Sequence, residues 1–277
     1  MSEERKMRPR LTAMVPVLND EYTLRFCLES LVPYFDEIVV FDDSSTDHSF
    51  EVALDFLYRN GNVKVKTHGA IPLGWITARN VMLSMTDSRW LYWVDSDDVL
   101  MDGAWDELER LAREAENGGP PVVRLGLTEL WGDLHHGTGR YRHFDPCHVF
   151  VDRKRTGELK WAGRNAASLG WRASRTEGVI CAHLKGVKPD SRLALRKFIR
   201  PWLNEGRKCR PESFGPLPSM NREEVHRLAL NTLLHSRQDR IQRYEGPALP
   251  SCLAGEDRFE MVYDEGKPVD RVDREDG

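Results

Sequence analysis

Residues 89–98 read RWLYWVDSDD, an apolar run that ends abruptly in polar side chains. The run from Arg89 to Val94 has the length and composition of a buried strand. Three carboxylates and a hydroxyl at the end of such a strand are costly to desolvate unless a partner neutralises them. The stretch therefore predicts a strand that ends in an acidic site. As an isolated feature it equally fits a helix N-cap with spare acids.

Asp95 and Asp97 are the natural centre of such a site. Side chains two residues apart point to the same side of an extended chain, so both carboxylates could converge on one cation. Ligands that are all oxygen favour Mg²⁺ or Mn²⁺ over zinc. A cation there could grip a diphosphate and stabilise it as a leaving group.

The chain before this strand alternates between apolar runs and helical patterns. Residues 11–18 and 37–41 fit buried strands, and Asn19 is placed to cap the helix between them. This alternation predicts a mostly parallel sheet covered by helices, in which ligands bind at the carboxyl ends of the strands. The second strand is followed by DDSSTD at 42–47, which predicts one site shared by two strand ends. The same run also fits a simple turn and cap.

Arg79 adds a positive charge close to these acids in sequence, at the start of a predicted helix. A guanidinium there can hold a phosphate or a base carbonyl through two hydrogen bonds. Four motifs in this order resemble glycosyltransferase family 2: VPVLN at 15–19, DEIVVFDDSSTD at 36–47, TARN at 77–80 and WVDSDD at 93–98.

The resemblance covers about residues 10–116 and implies a GT-A-like α/β fold. It also implies inverting transfer from a nucleotide sugar with the help of a divalent metal, Mn²⁺ or Mg²⁺. The residues that it assigns are Pro16 and Leu18 in the nucleobase pocket, Asp43 on uracil, Arg79 near the base and phosphates, and Asp95 and Asp97 as the DxD motif, with Asp98 as a further metal ligand.

The second half of the chain is less regular. The breaker NGGPP at 117–121 predicts a boundary, so we expect a nucleotide-sugar-binding half at residues 10–120. An acceptor-binding half would follow at 121–263, with a mobile acidic tail at 264–277. This half loosely resembles the lipopolysaccharide-core branch of the family, but Arg164-Asn165-Ala166 stands where that branch often has a His-Glu pair.

An inverting transfer needs a general base that deprotonates the acceptor hydroxyl. Glu256 and Asp257 resemble a Glu-Asp motif of the family, although they lie farther from the DxD motif than is usual there. His183 is a second candidate, and its apolar neighbours also fit a buried structural histidine. Further acids in the second half stay open as candidates: Asp133, Asp145 and Glu177.

Charge is distributed unevenly along the chain. Residues 1–150 carry an excess of acidic side chains, whereas residues 151–245 carry an excess of basic ones. The basic segment suggests an anionic partner, either a membrane surface or nucleic acid, and fits a solvated arginine-rich surface equally well. No apolar run approaches the ~20 residues that cross a bilayer, and the five cysteines are scattered. We expect a cytoplasmic protein, with peripheral membrane attachment as an option.

The sequence thus predicts a metal-dependent glycosyltransferase that moves a sugar from UDP to a glycan, a lipid-linked or another hydroxyl acceptor. A nucleotidyltransferase on a similar fold is an alternative, as is a protein that binds a nucleotide or glycan without turnover. Asp95 to Val99 also fits the nucleophile motif of haloacid-dehalogenase-like phosphatases. Residues 99–153 contain no lysine, which such enzymes need downstream of that motif.

Overall fold

A computed structural model describes most of the first half of the chain and separate parts of the second. The described residues are 10–68, 72–131, 133–137, 144, 148–157, 159–161, 173–186, 242–254, 262–264 and 267–269. The strands are β1 (Leu11–Val17), β2 (Glu37–Asp42), β3 (Val63–Thr67), β4 (Trp90–Trp93), β5 (Asp98–Leu100), β6 (Val122–Trp131), β7 (Asp133–Gly137), β8 (Val149–Asp152), β9 (Ser174–Gly186), β10 (Gln242–Arg243), β11 (Val262–Asp264) and β12 (Lys267–Val269).

The helices lie mainly between the strands of the first half. They are α1 (Glu21–Leu31), α2 (Ser49–Arg59), α3 (Trp75–Leu83), α4 (Ala104–Glu116) and the short α5 (Arg153–Thr156), and a 3₁₀ turn spans Ser251–Leu253. Helix α4 has one apolar face at spacings of three and four, on which Leu108, Leu111 and Ala112 are buried. None of the helices in the described parts of the chain is long and apolar enough to cross a membrane.

Among the described residues, ten strands form one sheet with a main order of β10-β7-β6-β8-β4-β1-β2-β3. Strands β1, β2, β3 and β4 are parallel, as βαβ connections require. Strand β8 pairs antiparallel with both β4 and β6, and β9 pairs with β5 and β6. The strands of the second half thus extend the parallel sheet of the first half directly, and the division at residue 120 stays a prediction.

The apolar runs of the sequence become the centre of this sheet. Strand β2 is buried along its whole length and β4 likewise, because helices cover both faces. The two faces form separate cores: one contains Leu24, Leu28 and Leu108, and the other contains Met82 and Trp93. The predicted α/β class and mostly parallel first half are therefore confirmed.

The predicted start of the first helix is wrong by one position. Asp20, not Asn19, is the N-cap residue of α1. Asn19 has a positive φ of 56°, a conformation that Asn tolerates better than most residues, and its side chain bonds to another loop instead. Most of the predicted acidic tail lies outside the described residues, but within it Lys267–Val269 forms β12, which pairs antiparallel with β11.

Candidate active site

Three loops meet where the parallel strands β1, β2 and β4 end. The Asn19 side-chain oxygen accepts a hydrogen bond from the Thr46 backbone N–H at 2.7 Å. The Ser96 hydroxyl contacts the Asp20 carboxylate. These contacts join the loop after β1 to the loops after the other two strands, so the two acidic clusters of the sequence share one edge of the sheet.

The acids after β4 differ in their exposure. The Asp95 side chain is 29% exposed, whereas Asp97 is 4% and Asp98 is 0% exposed as whole residues. The Asp95 backbone N–H donates to Asp98 Oδ2 at 3.0 Å, which turns the chain back on itself. One ligand atom from each of these three residues lies within 4.8 Å of the others, a spacing that suits a shared cation.

Two histidines from the second half surround the Asp98 carboxylate. His183 on β9 stands opposite Asp98 in the β5–β9 ladder, and its Nδ1 lies 2.6 Å from Asp98 Oδ1. His148 immediately precedes β8, and its Nε2 contacts Asp98 Oδ2. Burial alone would raise the pKa of Asp98, but the charges and hydrogen bonds of His148 and His183 outweigh it and hold that pKa well below its usual range. The two histidines therefore favour the ionised form of the Asp98 carboxylate over its protonated form.

The donor set fits a divalent metal. Asp98, His148 and His183 form a second group of ligand atoms within 4.8 Å of one another, and this group shares Asp98 with the three aspartates. Carboxylate oxygens and imidazole nitrogens both bind divalent first-row metals. Asp95, Asp97 and Asp98, assigned from the sequence, thus lie together, and the structure adds His148.

Arg79 is fully buried in a cage of three indole rings, which we call the indole cage: Trp75, Trp93 and Trp161. Its guanidinium carbon lies 4.0 Å, 5.2 Å and 4.8 Å from the three ring centroids, in that order. Arg79 Nη2 lies 2.5 Å from Asp95 Oδ1. Stacked indoles and a carboxylate together compensate a guanidinium for the loss of water.

Asp43 is buried at the end of β2 and holds the start of α3. Its two carboxylate oxygens accept from the backbone N–H groups of Leu73, at 2.6 Å, and Gly74, at 2.9 Å. Burial raises the pKa of Asp43 despite these hydrogen bonds. Gly74 has a φ of 83°, a backbone conformation that glycine adopts without strain. Asp43 thereby fixes the helix that carries Arg79.

Of the other site residues predicted from the sequence, some lie near the joined loops and some lie outside the described residues. Pro16 lies on β1 and Leu18 directly follows it, both half-buried near the joined loops. Glu177 is exposed on β9, six residues before His183. Two of the base candidates, Glu256 and Asp257, lie outside the described residues, as does Asp145. The structure therefore brings the metal and donor candidates together, while the base stays a prediction.

His148 and the indole cage were missed by sequence reasoning. His148 stands alone before the apolar run VFV at 149–151, and only the antiparallel pairing of β8 with β4 brings it to the acids. Trp161 also arrives from the second half, through two hydrogen bonds with Asn80. A single histidine and a single tryptophan carry no signal of a partner about 50 to 80 residues away.

Comparison with known proteins decides the family. The model of glycosyl transferase family 2 matches residues 12–152, which is half of the chain and includes every residue of the acidic cluster and His148. The chain belongs to this family. The predicted family and the GT-A-like α/β fold are thereby confirmed.

Two named relatives match between a third and a half of the chain. The SPbeta prophage-derived glycosyltransferase SunS of Bacillus subtilis is 27% identical over 139 residues, which is 50% of this chain and 32% of that protein. The poly(ribitol-phosphate) beta-glucosyltransferase of Bacillus spizizenii is 31% identical over 96 residues, which is 33% of this chain and 15% of that protein. The chain matches about a third or less of the length of these relatives.

Solved glycosyltransferase structures resemble the chain more remotely. S. aureus TarS 1-349 has 16% identity and a TM-score of 0.47, with 83% of this chain and 73% of that chain covered. The mannosyltransferase PcManGT from Pyrobaculum calidifontis, in complex with GDP-Man and Mn2+, has 16% identity and a TM-score of 0.49, with 83% and 75% covered.

Proposed function

We propose that the protein is an inverting, metal-dependent glycosyltransferase that moves a sugar from a nucleoside diphosphate to an acceptor hydroxyl. The observation that carries this proposal is the convergence of Asp95 and Asp97 at the edge of the sheet where parallel strands present ligands. Membership of the family supports the reaction class. UDP is the proposed nucleotide, from the resemblance of the motif around Asp43.

Asp95 and Asp97 would hold Mn²⁺ or Mg²⁺ in this reaction. Such a cation, when bound, neutralises the diphosphate as it leaves the sugar. The chain's own part is to keep the two carboxylates in place: Arg79 fixes Asp95, and the Asp97 backbone C=O accepts from the Leu184 N–H at 2.7 Å. A fixed site loses little free energy to reorganisation when charge develops on the leaving group.

The half-buried side chains near the joined loops would receive the nucleoside. Pro16 and Leu18 offer apolar surface to a base. The nearby Ser44 and Ser45 hydroxyls each make one hydrogen bond within the protein, to the His68 C=O and from the Asn19 N–H, so a ribose would have to share them. Both oxygens of Asp43 are engaged by backbone N–H groups, so contact with a base would need one of these hydrogen bonds to be shared. Glu256 and Asp257 are the proposed source of the general base.

The proposal is tested by the thermal stability of the full chain against a panel of nucleotide sugars, with and without Mn²⁺. A ligand that binds the native state raises Tm by mass action. We expect a rise with one nucleotide sugar that is larger with metal, followed by release of the nucleoside diphosphate when an acceptor is added. Stabilisation by a nucleoside triphosphate with release of pyrophosphate would favour a nucleotidyltransferase. Stabilisation without turnover on any acceptor would favour a binding protein.

An anionic acceptor is part of the proposal. Residues 151–245 carry an excess of basic side chains, and one relative is named for an anionic polymer, poly(ribitol-phosphate). Attraction between unlike charges is screened by salt, with a Debye length of about 8 Å at physiological ionic strength. The KM for the acceptor should therefore rise between low and physiological salt. An acceptor KM that does not change with salt would contradict this part.

A further inference from the structure

The acidic cluster does not stand alone, because two buried histidines from the second half close it from the other side. We infer that His148 and His183 ligate the same cation as the aspartates. They would give the site a preference for metals that bind nitrogen ligands well. This inference rests on the proposed function for the presence of a cation. It goes beyond that function in assigning ligands that the DxD motif does not contain.

The burial of these side chains is the first observation. His148 is 1% exposed, His183 is 7% exposed and the Asp98 carboxylate between them is fully buried. The two rings meet edge to face, with centroids 5.9 Å apart. Polar groups collected at such depth are costly unless their lone pairs and protons are satisfied. Both rings contact the Asp98 carboxylate, so two imidazole nitrogens and a carboxylate are gathered in one buried cluster.

The distances across the cluster are the second observation. His183 Nδ1 lies 3.7 Å from Asp97 Oδ1, and His148 Nε2 lies 3.6 Å from Asp95 Oδ2. Both distances are too long for hydrogen bonds. Two ligands that are each about 2.1 Å from one ion lie about 3.0 to 4.2 Å apart, depending on their angle at the metal. The distance from each histidine to one aspartate of the DxD motif is therefore that of two ligands on one ion. Both nitrogens lie closer still to Asp98, at hydrogen-bond distance, so a bound metal would displace the protons that they share with Asp98.

The backbone holds both histidines where a ligand needs to be. Asp98 and His183 are paired residues in the β5–β9 ladder, and the His148 backbone C=O accepts from the Leu125 N–H at 3.0 Å. Sites on strands are positioned more accurately than sites on loops. Because His183 lies on β9 and His148 directly precedes β8, bound metal would link the second half of the chain to the first.

A mixed set of ligands has a chemical consequence. Imidazole suits zinc and the later first-row metals, whereas Mg²⁺ prefers oxygen and retains several waters. The site should therefore bind Co²⁺ and Mn²⁺ more tightly than Mg²⁺. Replacing a histidine with aspartate should reduce the difference in affinity between Mg²⁺ and the other two metals, because an oxygen ligand then takes the place of a nitrogen ligand.

The direct test is pulsed electron paramagnetic resonance of Mn²⁺ bound to the full chain, with and without ¹⁵N-labelled histidine. We expect nitrogen couplings that change with the label, and that weaken in His148→Gln and in His183→Gln but persist in His135→Gln, whose ring is exposed on β7. Bound Mn²⁺ without a histidine coupling would overturn the inference. A chain that binds no Mn²⁺ with or without nucleotide sugar would overturn it too.

Affinity for metal alone gives a second readout that needs no turnover. Competition experiments on the full chain should give Co²⁺ and Mn²⁺ Kd values about tenfold or more below that of Mg²⁺, and a smaller ratio in His183→Asp. An equal ratio in both proteins would overturn the inference. Histidine couplings in a chain that binds no nucleotide sugar would instead sink the proposed function and leave the ligand assignment standing. Stabilisation by a nucleotide sugar with Mn²⁺ bound, but without histidine couplings, would overturn the ligand assignment and leave the proposed function standing.

Discussion

Arg79 Nη2 lies 2.5 Å from Asp95 Oδ1, and the arginine is fully enclosed by the indole cage. Arg79 therefore acts on another protein side chain: it fixes one carboxylate oxygen of Asp95. The other oxygen, Oδ2, lies 3.6 Å from His148 Nε2. The family resemblance placed Arg79 near the base and phosphates. Because its side chain is fully enclosed, Arg79 is better placed to position Asp95 than to contact a ligand directly.

Arg79→Lys should damage the site although the charge is kept. Lysine cannot stack its planar group between indoles, and its ammonium is more strongly hydrated than a guanidinium. We expect at least about a tenfold loss of metal affinity and of kcat, together with a lower Tm, because a buried ion pair is poorly replaced. Metal titration and thermal unfolding measure both effects. The control is Arg113→Lys on α4, where the side chain is 63% exposed; an equal effect there would contradict the positioning role.

Asn80→Ala should destabilise the indole cage, because Asn80 holds the backbone of Trp161. Asn80 Nδ2 donates to the Trp161 C=O at 2.8 Å, and Asn80 Oδ1 accepts from the Trp161 N–H at 2.7 Å. Loss of both hydrogen bonds leaves buried backbone groups without their partner, which costs about 1–3 kcal/mol of unfolding free energy. Denaturant unfolding measures the loss. Asn117→Ala, at the exposed end of α4, is the matched control, and an unchanged Asn80→Ala protein would show that Trp161 is held in another way.

Much of the first half could be predicted from the sequence because its signals are local. The apolar runs at 37–41 and 89–94 became β2 and β4, and the acids that follow them share an edge because parallel strands end together. The contacts of Arg79 could not be predicted, since the ion pair with Asp95 spans 16 residues and the ring of Trp161 comes from farther still. His148 was missed for the same reason, because antiparallel pairing of β8 gives no local signal.

Asp97→Asn tests the metal role of the DxD acids while it keeps the shape of the side chain. Asp97 is buried, and one of its oxygens lies 3.7 Å from His183 Nδ1. Replacement of a carboxylate by an amide weakens a ligand for a hard cation. We expect a folded protein whose metal-dependent turnover falls at least about 100-fold, the low end for loss of one electrostatic group at a transition state. Asp87→Asn, in the exposed loop before β4, is the control; full activity of Asp97→Asn would refute the metal assignment.

The stability of the metal-free protein should fall in acid through Asp98. His148 and His183 hold the pKa of Asp98 well below its usual range, against the effect of burial. A carboxyl whose pKa is lower in the folded state contributes stability above its unfolded pKa, about 3.9, and loses it as the pH falls toward the folded pKa. The unfolding free energy, measured with chelator present, should decline below about pH 4 by at most about 1.4 kcal/mol per pH unit for this one group. Asp98→Asn removes the titrating group, so its decline should be shallower. An identical slope in both proteins would show that other carboxyls account for the acid sensitivity.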